Sequence, residues 1–130
     1  PETQPLLLRL NSSLVELCKA ASDDELDTYS IQWTEKHSCG VVIASKGYPE
    51  DYESNKKVSI KENNIKDSKL FHAGTKYENE TVLTSGGRVF CATALGSDLK
   101  NAQKNAYNLV NNVEFDGAFF RKDIGFKGIK

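Results

Sequence analysis

Between Leu70 and Val113 the hydrophobic period changes from that of strands to that of a helix, with no linker between the two. Leu70 to Thr75, Thr81 to Thr84 and Arg88 to Leu95 are short runs rich in β-branched, aromatic and small apolar residues, which predicts three successive strands. Lys76–Glu80 reads as the connection between the first two, and Ser85-Gly86-Gly87 as a tight turn before the third. From Leu99 the spacing becomes helical. Leu99, Ala102, Ala106, Leu109 and Val113 share one face, while Lys100, Gln103, Lys104 and Asn108 face solvent, and Gly96-Ser97 is the expected cap. Strands that are apolar on one face and followed at once by an amphipathic helix bury that face under the helix. The pattern therefore predicts an α+β fold, a small antiparallel sheet with flanking helices.

The flanks agree with one compact unit. Cys39 to Ala44 is an apolar, β-branched strand that Lys46-Gly47-Tyr48-Pro49 breaks. Ile31 and Trp33 alternate with polar residues in a strand-like way. Glu50 to Lys69 is polar surface with one short strand at most, anchored by Tyr52, Val58, Ile60 and Ile65. Near the start, two prolines in Pro1-Glu2-Thr3-Gln4-Pro5 disfavour helix. Leu10, Leu14, Leu17, Cys18 and Ala21 then follow helical spacing, with Asn11 or Ser12 as cap and capping-box spacing between Ser13 and Glu16. Ser22-Asp23-Asp24-Glu25 signals a further short helical turn, and an aromatic stretch runs from Phe115 to Phe120.

Length and charge narrow the functions. The 130 residues give room for one ordinary domain. Seventeen Lys+Arg against 18 Asp+Glu leave a formal net charge of −1, not the basic excess of a nucleic-acid binder. No apolar run approaches the roughly 20 residues of a membrane span, and no signal peptide opens the chain, so a cytoplasmic location is expected. The absence of Met and the start at Pro1 suggest a piece of something longer. Cys18, Cys39 and Cys91 form no CxxC pair, so neither a disulfide framework nor a zinc site is expected; three buried, reduced thiols are.

Few residues suit catalysis. His37 and His72 are the only histidines, and no Ser or Cys sits in a nucleophile elbow. Asp23-Asp24-Glu25 suits a helix start better than acid–base work. Glu78 and Glu80 fall in a connection and read as solvated. The glycine turns are more informative. Phe71-His72-Ala73-Gly74-Thr75 and Ser85-Gly86-Gly87-Arg88 flank one hairpin and offer backbone amides, hydroxyls and one guanidinium, a set that favours a phosphate or carboxylate. The competing structural account is that Gly86-Gly87 merely permits positive φ. No P-loop pattern occurs.

Six short motifs together carry a resemblance: PETQ at 1–4, GYP at 47–49, FHAGT at 71–75, GGRV at 86–89, TALG at 93–96 and RKDIG at 121–125. In this order they resemble the phosphoribosylamine–glycine ligases, also called glycinamide ribonucleotide synthetases, of the ATP-grasp enzymes. Phe120-Arg121 and Phe126-Lys127 stand where Tyr-Arg and His-Arg are common in that family. The resemblance implies an ADP-forming ligase of purine synthesis that joins glycine to 5-phosphoribosylamine through a glycyl phosphate. It implies ATP with Mg2+ or Mn2+, held mainly by a part that precedes Pro1 and carries the metal ligands. It also implies that residues 1–35 close the ATP-grasp core, that 36–130 form the C-terminal domain, and that this piece alone is inactive. A short remainder after Gly125 favours the single-function bacterial type. Glu2, Thr3 and Gln4 then fall near the glycine or ribosyl phosphate pocket. His72, Gly74 and Thr75 face the cleft, as do Gly86 and Gly87, and Arg88 is the foremost anion contact. Partners beyond the substrates and the preceding part of the chain are not expected, nucleic acid and membrane included. Three alternatives remain: another ATP-grasp ligase of purine synthesis, a non-catalytic binding or interaction module, and a biotinyl or lipoyl carrier. For the last, Lys76 is the sole loose candidate for modification.

Overall fold

The computed structural model describes residues 2–129. It opens with a helix, α1, over Thr3–Arg9, where the prolines argued against one. Pro5 lies in the first turn, where a helix has no partner for a backbone N–H, so the ring removes nothing. The second helix, α2, spans Leu14–Ser22 and is capped by Ser13, whose side chain accepts from the Glu16 amide at 3.4 Å. The capping-box residue is thus the cap, rather than Asn11 or Ser12. Asp23 ends α2 and Asp24 turns left-handed at φ 61°, so the acidic run closes this helix; hydrogen-bonded turns follow from Glu25 to Tyr29. Trp33 belongs to no strand and makes a single bridge to Leu10.

The strands are β1 (His37–Ser45), β2 (Ser59–Ile60), β3 (Ser68–His72), β4 (Thr75–Glu78), β5 (Thr81–Thr84) and β6 (Arg88–Gly96). Helix α3 (Leu99–Val110), β7 (Val113–Glu114), β8 (Ala118–Phe119) and a 3-10 turn at Phe126–Gly128 complete the chain. Four strands form an antiparallel sheet in the order β3-β6-β1-β8. The expected Lys76–Glu80 connection is mostly strand. Only Asn79 and Glu80 turn, at φ 48° and 59°, the positive values that a two-residue hairpin with the native twist demands. Lys76 sits in β4 and pairs with Glu78 at 2.7 Å, so it is no hairpin-tip lysine.

Residues directly opposite in an antiparallel pair share a face. Val41 opposes Ala92, and Ile43 opposes Phe90. With Cys39 and Ala94 they pack against Ala102, Ala106, Leu109 and Val110 of α3, which is the core. Asp98 rather than Gly96-Ser97 caps α3, accepting from the Asn101 amide at 2.7 Å. The helix ends at Val110, and Val113 pairs with Ile60 in the short β2–β7 ladder. The other sheet face carries Gly40, Val42 and Cys91, and α1 lies on it. A Cβ on Gly40 would come within 2.8 Å of the Pro5 ring and 3.2 Å of the Cys91 sulfur.

Among the described residues, Ala20 is the one buried position before Cys39. Leu6, Leu14, Val15, Leu26, Ile31 and Trp33 are all exposed, Val15 at 79%. Of the apolar stripe read on α2, Leu10 and Leu17 are half-buried while Leu14, Ala21 and Cys18, expected inside, are exposed; Cys39 and Cys91 are buried. No helix among the described residues is long and apolar enough to cross a membrane.

Candidate functional site

The start of β6 is held in place by backbone bonds from two sides. Gly74 donates to the Arg88 carbonyl and Ser85 donates to the Gly74 carbonyl, both at 2.8 Å, while Ala73 donates to Val89 at 2.9 Å. From β1, the Ser45 amide donates to the Gly87 carbonyl at 2.8 Å and its hydroxyl to the Gly86 carbonyl at 3.2 Å. The glycines make this closeness possible. A Cβ on Gly74 would stand 2.7 Å from the Gly86 Cα, and one on Gly87 would overlap the Tyr48 ring and reach within 3.1 Å of Tyr52. Neither Gly86 nor Gly87 has positive φ. Close approach, and not the left-handed turn considered above, is what excludes side chains here.

A cleft of about 510 Å³ opens between this strand start, the first turn of α1 and the 47–52 loop. Thr3, Gln4, Tyr48, Tyr52, Gly74, Gly87 and Arg88 line it, over a floor of Val42, Phe90 and Cys91. Five of these positions, Thr3, Gln4, Gly74, Gly87 and Arg88, were read from the sequence as glycine-turn or PETQ-motif site residues on separate segments. Tyr48 and Tyr52 were not. The Tyr48–Pro49 peptide is cis, and the loop that carries both rings has no hydrophobic period to mark it. A second, apolar cleft of about 410 Å³ shares Val42, Tyr48 and Arg88 with the first and continues over Ala44, Pro49 and Phe119.

Arg88 is exposed, and its side chain makes no hydrogen bond or ion pair among the described residues. Glu2, just before α1, is exposed and lies outside the lining. Its carboxyl is held below the usual range, chiefly by a backbone hydrogen bond and in part by the Arg88 charge. His72 and Thr75 satisfy each other, Nδ1 to Oγ1 at 3.0 Å, and the imidazole sits edge-on to Phe90 with centroids 4.8 Å apart. Neither lines the cleft, and Gly86 stands behind Gly74. The amides of Ala73, Gly74, Thr75 and Ser85 all donate to backbone carbonyls. The amide cradle expected of the two glycine turns is therefore largely spent, and the cationic contact falls to the Arg88 side chain.

One further atom is unusual. Gln4 Oε1 is buried and has no hydrogen-bond partner among the described residues. An unpaired buried acceptor costs about 1–3 kcal/mol. Cys91, in the cleft floor, is 2% exposed and burial pushes its thiol up, which suits a wall and not a nucleophile. No carboxylate lines the cleft, and no group of three His, Cys, Asp or Glu among the described residues is placed to hold a metal ion. These side chains do not fit a divalent cation. What they can do is bind: one cation, one free acceptor and two aromatic faces.

Residues 38–127 match the family model described as the phosphoribosylglycinamide synthetase C domain. The chain belongs to this family. Among curated relatives, the phosphoribosylamine–glycine ligase of Salmonella typhimurium is 49% identical over the whole chain, and that of Escherichia coli K12 is 47% identical. In both cases the chain spans 31% of the relative's length. The crystal structure of the phosphoribosylamine–glycine ligase from Thermotoga maritima superposes with a TM-score of 0.68 at 26% identity, over 83% of this chain and 27% of that one. The α+β reading and the family read from the six motifs both hold.

Proposed function

We propose that the chain is the C-terminal part of an ADP-forming ligase that joins glycine to 5-phosphoribosylamine in purine synthesis. Glycine is activated as glycyl phosphate, and the ribosylamine nitrogen then displaces the phosphate. ATP and Mg2+ or Mn2+ are held mainly by the preceding part of the protein, so this piece does not make the bond alone. The observation that carries the reading is the family match over 38–127 together with near-half identity to ligases along the whole chain. The role of this piece is binding: Arg88 supplies positive charge to an anionic substrate, and Thr3 and Gln4 bring the cleft up to the ATP-grasp core.

The exposed apolar residues of α2 and of the segment to Trp33 support assigning residues 1–35 to the edge of that core and 36–130 to the C-terminal domain. Exposed apolar surface of this extent is a docking surface. Its occupant in this proposal is the preceding part of the same polypeptide, and a cytoplasmic location follows from the substrates. ADP release by the full-length protein tests the reading, with glycine and phosphoribosylamine supplied together and each then omitted. Release that requires both is expected. Release with neither, or none at all from a folded, metal-loaded protein, overturns the ligase reading.

A further inference from the structure

We propose that the Asp116–Gly117 peptide is a site of covalent self-modification, at which aspartate converts to isoaspartate through a cyclic imide. The inference is independent of the ligase reading, since it concerns chemistry that the main chain carries whatever the protein catalyses.

The reaction needs a mobile carboxyl, and next to it in sequence an amide nitrogen that neither a side chain nor a hydrogen bond shields. Asp116 is the one aspartate followed by glycine, and no asparagine precedes a glycine. Residues 115–118 form the turn between β7 and β8, closed by the Ala118 amide donating to the Phe115 carbonyl at 3.1 Å. The Gly117 amide, in contrast, donates to no acceptor among the described residues. The Asp116 side chain is 84% exposed. Its tether is Lys56 at 3.3 Å, and that ammonium is held more closely by Glu53, at 2.6 Å.

The fold itself keeps the nitrogen bare. Gly117 has φ 77°, which disfavours any side chain, and a Cβ there would stand 2.9 Å from the Lys46 Cβ. The glycine that makes the turn possible is therefore also the one that leaves its amide open to attack on the neighbouring carboxyl.

Other aspartates lack this combination. Asp67 is bound by Lys36 at 2.6 Å, and its successor Ser68 begins β3. Thr28, after Asp27, spends its amide on the Glu25 carbonyl at 3.1 Å. The Asp98 carboxylate caps α3, and Leu99 follows it.

The chemistry balances with water alone. The Gly117 nitrogen bonds to the Asp116 Cγ as a Cγ–O bond breaks, and the departing oxygen leaves as water with the amide hydrogen and the carboxyl proton. Water then adds back to the imide. Attack at the Asp116 main-chain carbonyl breaks its bond to the Gly117 nitrogen, so the chain runs through Cβ and Cγ and an α-carboxylate is freed. Attack at Cγ restores aspartate. Isoaspartate has the same mass but adds one carbon, about 1.5 Å, to the main chain. The turn that must absorb it leads straight into β8, an edge strand that pairs only Ala118 with Ser45 and Phe119 with Ala44. The modified turn thus loosens the Phe115–Ala118 bond and this short ladder before it reaches the core.

The test holds the full-length protein at physiological temperature and pH. An isoaspartate-specific carboxyl methyltransferase with labelled S-adenosylmethionine reads out the product, and fragmentation of the tryptic peptide 105–121 locates it. Label should accumulate with time at position 116 ahead of every other aspartate, and amide exchange at Ala118 should quicken in the aged protein. Asp116→Glu keeps the exposed carboxylate but needs a larger, slower ring, and should abolish the label at this peptide. Asp116→Asn should convert faster, read as the mass gain of a hydrolysed amide. A synthetic 105–121 peptide supplies the rate without the fold. Conversion of that peptide with none in the folded protein overturns the proposal, and so does label that persists in Asp116→Glu or gathers first at another aspartate. None of these readouts depends on ADP release.

Discussion

Substituting Gly74 tests the claim that two backbone segments meet at the base of the β4–β5 hairpin. An alanine Cβ there stands 2.7 Å from the Gly86 Cα, 2.8 Å from the Arg88 carbonyl oxygen and 2.9 Å from the Gly86 nitrogen. All three are backbone atoms with no rotamer to yield. Carbon atoms pack comfortably at about 3.5–4.0 Å, so residues 85–88 must withdraw by about 0.8 Å. That stretches the Gly74–Arg88 and Ser85–Gly74 hydrogen bonds from 2.8 Å to beyond useful length. Two lost bonds at about 0.5–1.5 kcal/mol each and overpacking at about 1–3 kcal/mol make the penalty. Alanine offsets about 0.4–1 kcal/mol by restricting the unfolded chain. The net expectation for Gly74→Ala is a loss of about 2–4 kcal/mol in urea unfolding.

Gly86→Ala is the internal comparison. Its Cβ would meet only the Gly74 Cα at 3.0 Å, with the next atom 4.0 Å away. It should cost about 1 kcal/mol, since a shift of a few tenths of an ångström relieves it. A Gly74→Ala loss below about 0.5 kcal/mol, or a Gly86→Ala loss of equal size, refutes the reasoning.

Three further outcomes follow from individual contacts. Asp98→Ala removes the oxygen that caps α3 and should cost about 1 kcal/mol by urea unfolding, whereas Ser97→Ala should cost much less. The Lys36 ammonium bonded to Asp67 at 2.6 Å holds that carboxyl below its ordinary 3.8. A lowered folded-state pKa gives stability that is present above pH 3.8 and lost as the pH falls through the folded value, so Asp67→Asn should lower stability slightly at neutral pH, flatten that part of the acid-unfolding curve, and converge with the parent protein at the acid end. Brief alkylation with peptide mapping should leave Cys39 and Cys91 unlabelled until denaturant is added, since both thiols are buried and pushed up by burial; rapid native labelling of either contradicts their placement.

The parts of the fold that the sequence made legible are those governed by one period. The β1 and β6 segments read as strands because they are short, nearly continuous runs of β-branched, aromatic and small apolar residues, and α3 because Ala102, Ala106 and Leu109 recur on one face. What escaped depended on neighbours. Pro5 signals a helix break in general, but not in a first turn. Thr75–Glu78 looked like a connection because its residues are polar, and they are polar because the hairpin they form stands outside the main sheet. The same division runs through the site. Arg88, Gln4, Gly74 and Gly87 were found by motif. Tyr48 and Tyr52 reach the cleft only because the loop folds back onto Gly87, and no local pattern encodes that return. His72 and Thr75 share a motif with Gly74 but point their polar atoms at each other.

The central claim is that this part of the protein serves the ligase through the cleft at Arg88. The direct measurement is ADP release by the full-length protein at subsaturating phosphoribosylamine, comparing Arg88→Gln with Lys66→Gln. Lys66 lines a separate polar cleft beside the start of α3. The account predicts a fall of about tenfold or more for Arg88→Gln and no change for Lys66→Gln. Equal activity of the two variants, or a loss confined to Lys66→Gln, contradicts it.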